Sequence, residues 1–127
     1  MKKQNKETPA LLIIDMVKDN FIESRNLSIT PFALAIIHPL NKLIDVFRGQ
    51  NWPVVFSTDA FHEDDFICVL TTVLDAICND FKAVLLEDCS AASSKQIHER
   101  TLDNYRRNAL YPLLRVIKST DLVSELL

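Results

Sequence analysis

Strands alternating with helices along the chain predict an α/β protein whose sheet is mainly parallel. Four short apolar runs, at residues 10–14, 54–57, 83–86 and 114–117, read as strands. Stretches of helical periodicity separate them, and each crossover between parallel strands is expected to be right-handed. The 127 residues are 48% hydrophobic and 24% charged, which is enough for one core but not for two.

Residues 10–14 form a continuous apolar run bounded by Pro9 and Asp15, which predicts a strand buried on both faces and placed mid-sheet. A polar connection over residues 18–28 leads to Thr30-Pro31, a helix-start signal. A second start is predicted at Pro39, since proline is tolerated in a helix's first turn, and the main helix is placed over residues 39–48. Its Leu40, Leu43, Ile44 and Phe47 recur at helical spacing, and Gly49 stands where a left-handed cap would end it. The strand at 54–57 follows at once. After an acidic loop at 60–65, helical spacing resumes near Ile67, with Leu70, Leu74, Ile77 and Cys78 as its apolar stripe. The strand at 83–86 ends in Glu87-Asp88. Ser94 is placed to cap a helix running to about residue 107, with Ile97, Leu102 and Tyr105 facing inward. The strand at 114–117 and a short helix from Asp121 complete the chain.

Composition narrows the function classes. A net charge of −3 supplies no basic field for a phosphate backbone, so nucleic acid is not expected as a partner. The charged amino terminus is followed by an apolar stretch too short for a signal peptide or membrane span, which predicts a cytoplasmic protein without membrane partners. Three cysteines, Cys68, Cys78 and Cys89, make no disulfide framework and lack zinc-site spacing. Gly49 is the only glycine, where average usage near 7% predicts roughly nine. That excludes a P-loop and a dinucleotide fingerprint, and it predicts that a glycine-bearing piece is missing.

Two residues carry the chemistry. Asp15 closes a strand and Cys68 opens a helix, and open α/β sheets assemble catalytic sites at strand carboxyl ends and helix amino ends. A thiol with a pKa near 8.5 is only a few per cent thiolate at neutral pH, so it needs a helix terminus, a cation or a positioned base. Asp15 serves as that base only if the sheet brings its strand end beside the helix of Cys68.

Five separated segments carry a resemblance. They are Leu11-Leu12-Ile13-Ile14-Asp15-Met16, Asp19-Asn20-Phe21, Trp52-Pro53-Val54-Val55-Phe56, Ile67-Cys68-Val69, and Val84-Leu85-Leu86-Glu87-Asp88-Cys89-Ser90-Ala91. In this order they resemble the isochorismatase-like cysteine hydrolases, a superfamily that includes nicotinamidases, isochorismatases, carbamoylsarcosine amidases and ureidoacrylate hydrolases. The likeness extends to His98-Glu99-Arg100-Thr101-Leu102 and Val116-Ile117-Lys118-Ser119-Thr120. It implies a Rossmann-like three-layer α/β/α fold, a small-molecule amide-like or isochorismate-type substrate, no cofactor, and a homo-oligomer with the helix after Cys68 as a candidate interface. It also implies an Asp-Lys-Cys triad in which Asp15 exchanges protons and Cys68 is the nucleophile. Phe21 matches the aromatic that walls the family's substrate pocket.

The likeness is incomplete. The triad lysine has no counterpart, nor has the glycine-containing strand that leads into the cysteine, and Phe66 stands where the family has aspartate. These absences fall together, so residues 1–127 are expected to form a single domain lacking a strand-helix-strand block near residues 66–67.

Simpler readings stand beside these. Cys68 can be a small core residue, Asp15 a loop acid, and Cys78 and Cys89 structural thiols. Nicotinamidases place an Asp-x-His metal pair after the second strand, but Asp59 and His62 are spaced Asp-x-x-His, so no metal is expected. Glu63-Asp64-Asp65 reads as a solvated charge run. Two other functions compete: an inactive relative acting by protein contacts, and a phosphoacceptor receiver with Asp88 and Lys118 after strands.

Overall fold

The computed structural model describes residues 7–58 and 67–127, the side chains of Ile67 and Cys68 excepted. Asp59, His62, the acidic run 63–65 and the expected gap before Ile67 lie outside the described residues. The order of main elements is β1 (Leu11–Ile14), α1 (Thr30–Gly49), β2 (Val54–Ser57), α2 (Ile67–Cys78), β3 (Ala83–Leu86), α3 (Lys95–Arg106), β4 (Leu114–Ile117) and α4 (Ser119–Leu126). Two 3-10 turns, Lys18–Phe21 and Glu23–Arg25, lie between β1 and α1.

The strands pair in parallel, as the alternation of elements requires. They form two two-stranded sheets, β1 with β2 and β3 with β4. Among the described residues no strand bridges the pairs. A shared core joins them instead: Leu11 and Ile13 of β1, Leu40, Leu43, Ile44 and Phe47 of α1, and Leu86 of β3 form one buried cluster, with Val84, Ile117 and Leu122 packed against it.

Strand β1 is not buried on both faces as its composition suggested. Leu11 and Ile13 are buried under α1, whereas Leu12 on the opposite face is 45% exposed. Pairing on one edge and cover on one face turn a continuous apolar run into an alternating one.

Helix α1 is continuous from Thr30, with Pro39 inside it rather than at a second start. Pro39 cannot donate to the carbonyl four residues back, which costs about 3 kcal/mol in a helix interior. Burying Leu40, Leu43, Ile44 and Phe47 contributes roughly 6 kcal/mol or more, so packing carries the helix through the proline.

The end of α1 corrects the expectation for Gly49. Asn51, not Gly49, takes the left-handed conformation, at φ 57°. Its N–H donates to the Arg48 carbonyl, and the Trp52 N–H donates to that of Phe47 at 2.9 Å. This is a Schellman closure, and its apolar contact is the edge-on packing of Trp52 against Phe47, with ring centroids 5.3 Å apart. Helix α2 ends the same way: Asp80 sits at φ 64°, its N–H donates to Ile77, and the Phe81 N–H donates to Ala76. Asparagine and aspartate thus take positions that glycine usually fills, which accounts for part of the glycine deficit.

Helix α3 starts as expected, with the Ser94 hydroxyl accepting from the Ile97 N–H at 3.1 Å. Leu102 is buried, but Ile97 is 48% exposed and the neighbouring His98 is the half-buried residue. Tyr105 is half-buried as predicted, so the departure is confined to the first turn, where the His98 ring reaches the Glu87 carbonyl, 3.0 Å from Nε2. Helix α4 begins at Ser119, two residues before the predicted start.

Substituting Asn51 tests its role as the left-handed cap. Asn51→Ala is expected to lower the unfolding free energy by about 1 kcal/mol and Asn51→Gly to leave it nearly unchanged, measured by urea denaturation.

Candidate active site

The carboxyl ends of the strands carry the polar residues that sequence pattern singles out. At the end of β1, Asp15 is left-handed at φ 59°. Its N–H still donates to the Ser57 carbonyl at 2.9 Å, so it occupies the rung where the β1–β2 ladder stops. Asn20, in the first 3-10 turn, donates its side-chain amide to the Asp15 carbonyl at 2.7 Å. The Asn20 carbonyl accepts from the Thr30 hydroxyl at 2.8 Å, which joins the strand end to the first residue of α1.

Phe21 closes that turn. It lines an open groove of about 500 Å³ between α1 and the ends of β1 and β2, with Ile13, Met16 and Ile44 apolar and Asp45 and Arg48 on the helix side. Phe21 and Asp15 therefore flank one connection, β1 to α1, the carboxylate's residue at its start and the aromatic in the groove.

Cys68 lies in the first turn of α2. Helix α2 packs along β3 and feeds directly into it, so the two run antiparallel and the start of α2 stands toward the carboxyl end of β3. Thiols at a helix amino terminus are more readily ionised than free ones. Asp15 and Cys68 thus sit at ends of elements that the topology of α/β sheets uses for sites.

The other two thiols have distinct surroundings. Cys78 is exposed rather than part of the α2 stripe, since the helix turns its last residue outward. Cys89 is half-buried after β3, and burial first, then the neighbouring Asp88 charge, pushes its thiol up to about 11. Asp88 itself is committed elsewhere. Its carboxylate accepts from the Ser119 N–H at 2.8 Å and from the Ser119 hydroxyl at 2.6 Å. An acid from the end of β3 thereby caps α4, where it satisfies a free backbone donor and complements the helix dipole.

Glu87, the residue before it, pairs with Arg106 of α3 at 2.7 Å. Hydrogen bonds that Arg106 donates to Glu87 and then to Asp103 raise its pKa and keep its guanidinium charged. Sequence pattern showed none of these partnerships. Asp88 and Ser119 are 31 residues apart, and Asn20 has no spacing to Asp15 that marks a helix, strand or capping box.

Residues 66–117 match the family model of the isochorismatase domain. The match covers less than half of the chain and supports a place in the isochorismatase-like superfamily. The match runs from just before Cys68 through α2, β3, α3 and β4. No curated protein and no solved structure matches the chain.

The thiols give a direct measurement. At pH 8, iodoacetamide is expected to label Cys89 at least about 10-fold more slowly than the exposed Cys78, read by peptide mass. The Cys89 rate should climb only as pH approaches 11, because its protonated form is the one that burial and Asp88 favour.

Proposed function

We propose that this isochorismatase-like chain is a cysteine-dependent hydrolase of a small substrate, amide-like (C–N) in preference to isochorismate-type. Cys68 is the nucleophile, Asp15 the acid–base group and Phe21 a wall of the substrate site. The observation that carries the reading is the family match, which opens on the turn of α2 that bears Cys68.

In the first step Asp15 accepts the Cys68 proton as Sγ bonds to the amide carbon. Backbone N–H groups at the start of α2 stabilise the oxyanion. The C–N bond then breaks, the proton passes from Asp15 to nitrogen, and ammonia or an amine leaves a thioester behind. Water adds to the thioester with Asp15 taking its proton, and the acid departs as the thiol is restored. Every proton transfer uses Asp15, and the mechanism draws on no metal or cofactor.

The two strand pairs fit the flanks of one Rossmann-like three-layer α/β/α sheet. Both are parallel, and one core spans them. On this reading the strand-helix-strand segment expected near residues 66–67 belongs between β1 and β3, in a single cytoplasmic domain that forms a homo-oligomer and binds neither nucleic acid nor membrane. No helix among the described residues is long and apolar enough to cross a membrane.

The engagement of both Asp88 oxygens by Ser119 weighs against a phosphoacceptor role. An inactive relative remains the competing reading, and the absence of a matching triad lysine favours it. Ammonia release from a panel of small amides including nicotinamide separates them. Cys68→Ala and Asp15→Asn are each expected to reduce release by about 100-fold or more, and turnover unchanged in Cys68→Ala would remove the thiol from the mechanism.

A further inference from the structure

A left-handed aspartate at the last rung of a strand is a strained arrangement that persists only when its surroundings hold it. Three bonds do so here. The Asp15 N–H is tied to Ser57, the Asp15 carbonyl accepts from the Asn20 amide at 2.7 Å, and Asn20 is tied by its own carbonyl to the Thr30 hydroxyl at 2.8 Å. The turn is braced from its far side as well, since Arg25 donates to the Asp19 carbonyl at 3.2 Å.

We propose that Asn20 is the positioning residue of Asp15: its carboxamide, carried on a backbone whose carbonyl accepts from Thr30, holds the left-handed backbone on which the direction of the Asp15 carboxylate depends. The inference rests on the reading of Asp15 as the acid–base group. At φ 59° the residue leaves the two-residue alternation of β1, so its side chain does not follow the face set by Leu11 and Ile13. The Asn20 bond offsets the cost of the left-handed backbone, and without it the extended conformation becomes the lower in energy for a residue with a Cβ.

The anchoring explains why the clamp reaches beyond its own turn. Thr30 is the first residue of α1, and α1 is packed into the core through Leu40, Leu43, Ile44 and Phe47. The position of the acid is therefore referred to the most deeply buried helix of the protein. Lys18 and Asp19, in the same turn, are exposed, and their side chains have no comparable place.

Two readouts test this, one conformational and one catalytic. Backbone NMR shifts of Asp15 are expected to leave the left-handed region in Asn20→Ala and in Thr30→Val, and to stay there in Thr30→Ser, which keeps the hydroxyl. With the best amide of the panel, Asn20→Ala and Thr30→Val should lower kcat about 10-fold with KM within about twofold, since misplacing a reacting group costs rate more than binding. Thr30→Ser should restore kcat. If Asp15 stays left-handed and kcat stays native in Asn20→Ala, the proposal is overturned while the acid–base reading stands. If the left-handed signature is lost but Asp15→Asn turns over at the native rate, the clamp stands and the acid–base reading fails. The Thr30 pair decides the matter should Asn20→Ala not fold.

Discussion

Helix α1 is the element on which the rest of the structure depends. Its buried face, Leu40, Leu43, Ile44 and Phe47, meets Leu11 and Ile13 from one strand pair and Leu86 from the other. Two-stranded sheets are marginal by themselves, and here neither pair has a neighbouring strand among the described residues. One helix packed on both supplies the common core. The same burial carries α1 through Pro39, and both ends of the helix are tied to the chain around it: Thr30 holds Asn20, and Trp52 closes on Phe47.

From that core the strand carboxyl ends are held by two acids used in different ways. Asp88 is spent on structure, capping α4 with both carboxylate oxygens. Asp15 is held through its backbone, by Ser57 and Asn20, so its fixed feature is a conformation rather than a capped helix. The three cysteines divide similarly: Cys89 is kept protonated by burial and Asp88, Cys78 is exposed, and Cys68 opens a helix.

Much of the fold was legible because local pattern and burial agree. The bounds of β2, β3 and β4 follow from their apolar runs, and the Ser94 cap follows from residue type and position. What was not legible depends on tertiary contact. Pro39 signals a helix start locally, and only the buried face of α1 overrides it. The exposure of Leu12 depends on what covers β1, which its own run of apolar residues does not state. Glycine scarcity suggested a missing piece, yet the left-handed positions are filled by Asp15, Asn26, Asn51 and Asp80, the residue types best able to replace glycine there. For the site, Asp15, Phe21 and Cys68 were visible as element-end and motif residues. Asn20 was visible only as part of a motif, since its bond to a backbone carbonyl leaves no mark in spacing.

The claim that binds these observations together is covalent catalysis by the thiol that opens α2. Acid quenching during turnover of an amide substrate, followed by peptide mass mapping, tests it most directly. The account predicts an acyl adduct on the peptide containing Cys68, with Cys78 and Cys89 unmodified. Ammonia released at the native rate with Cys68 never acylated, or with the adduct on another residue, would contradict it.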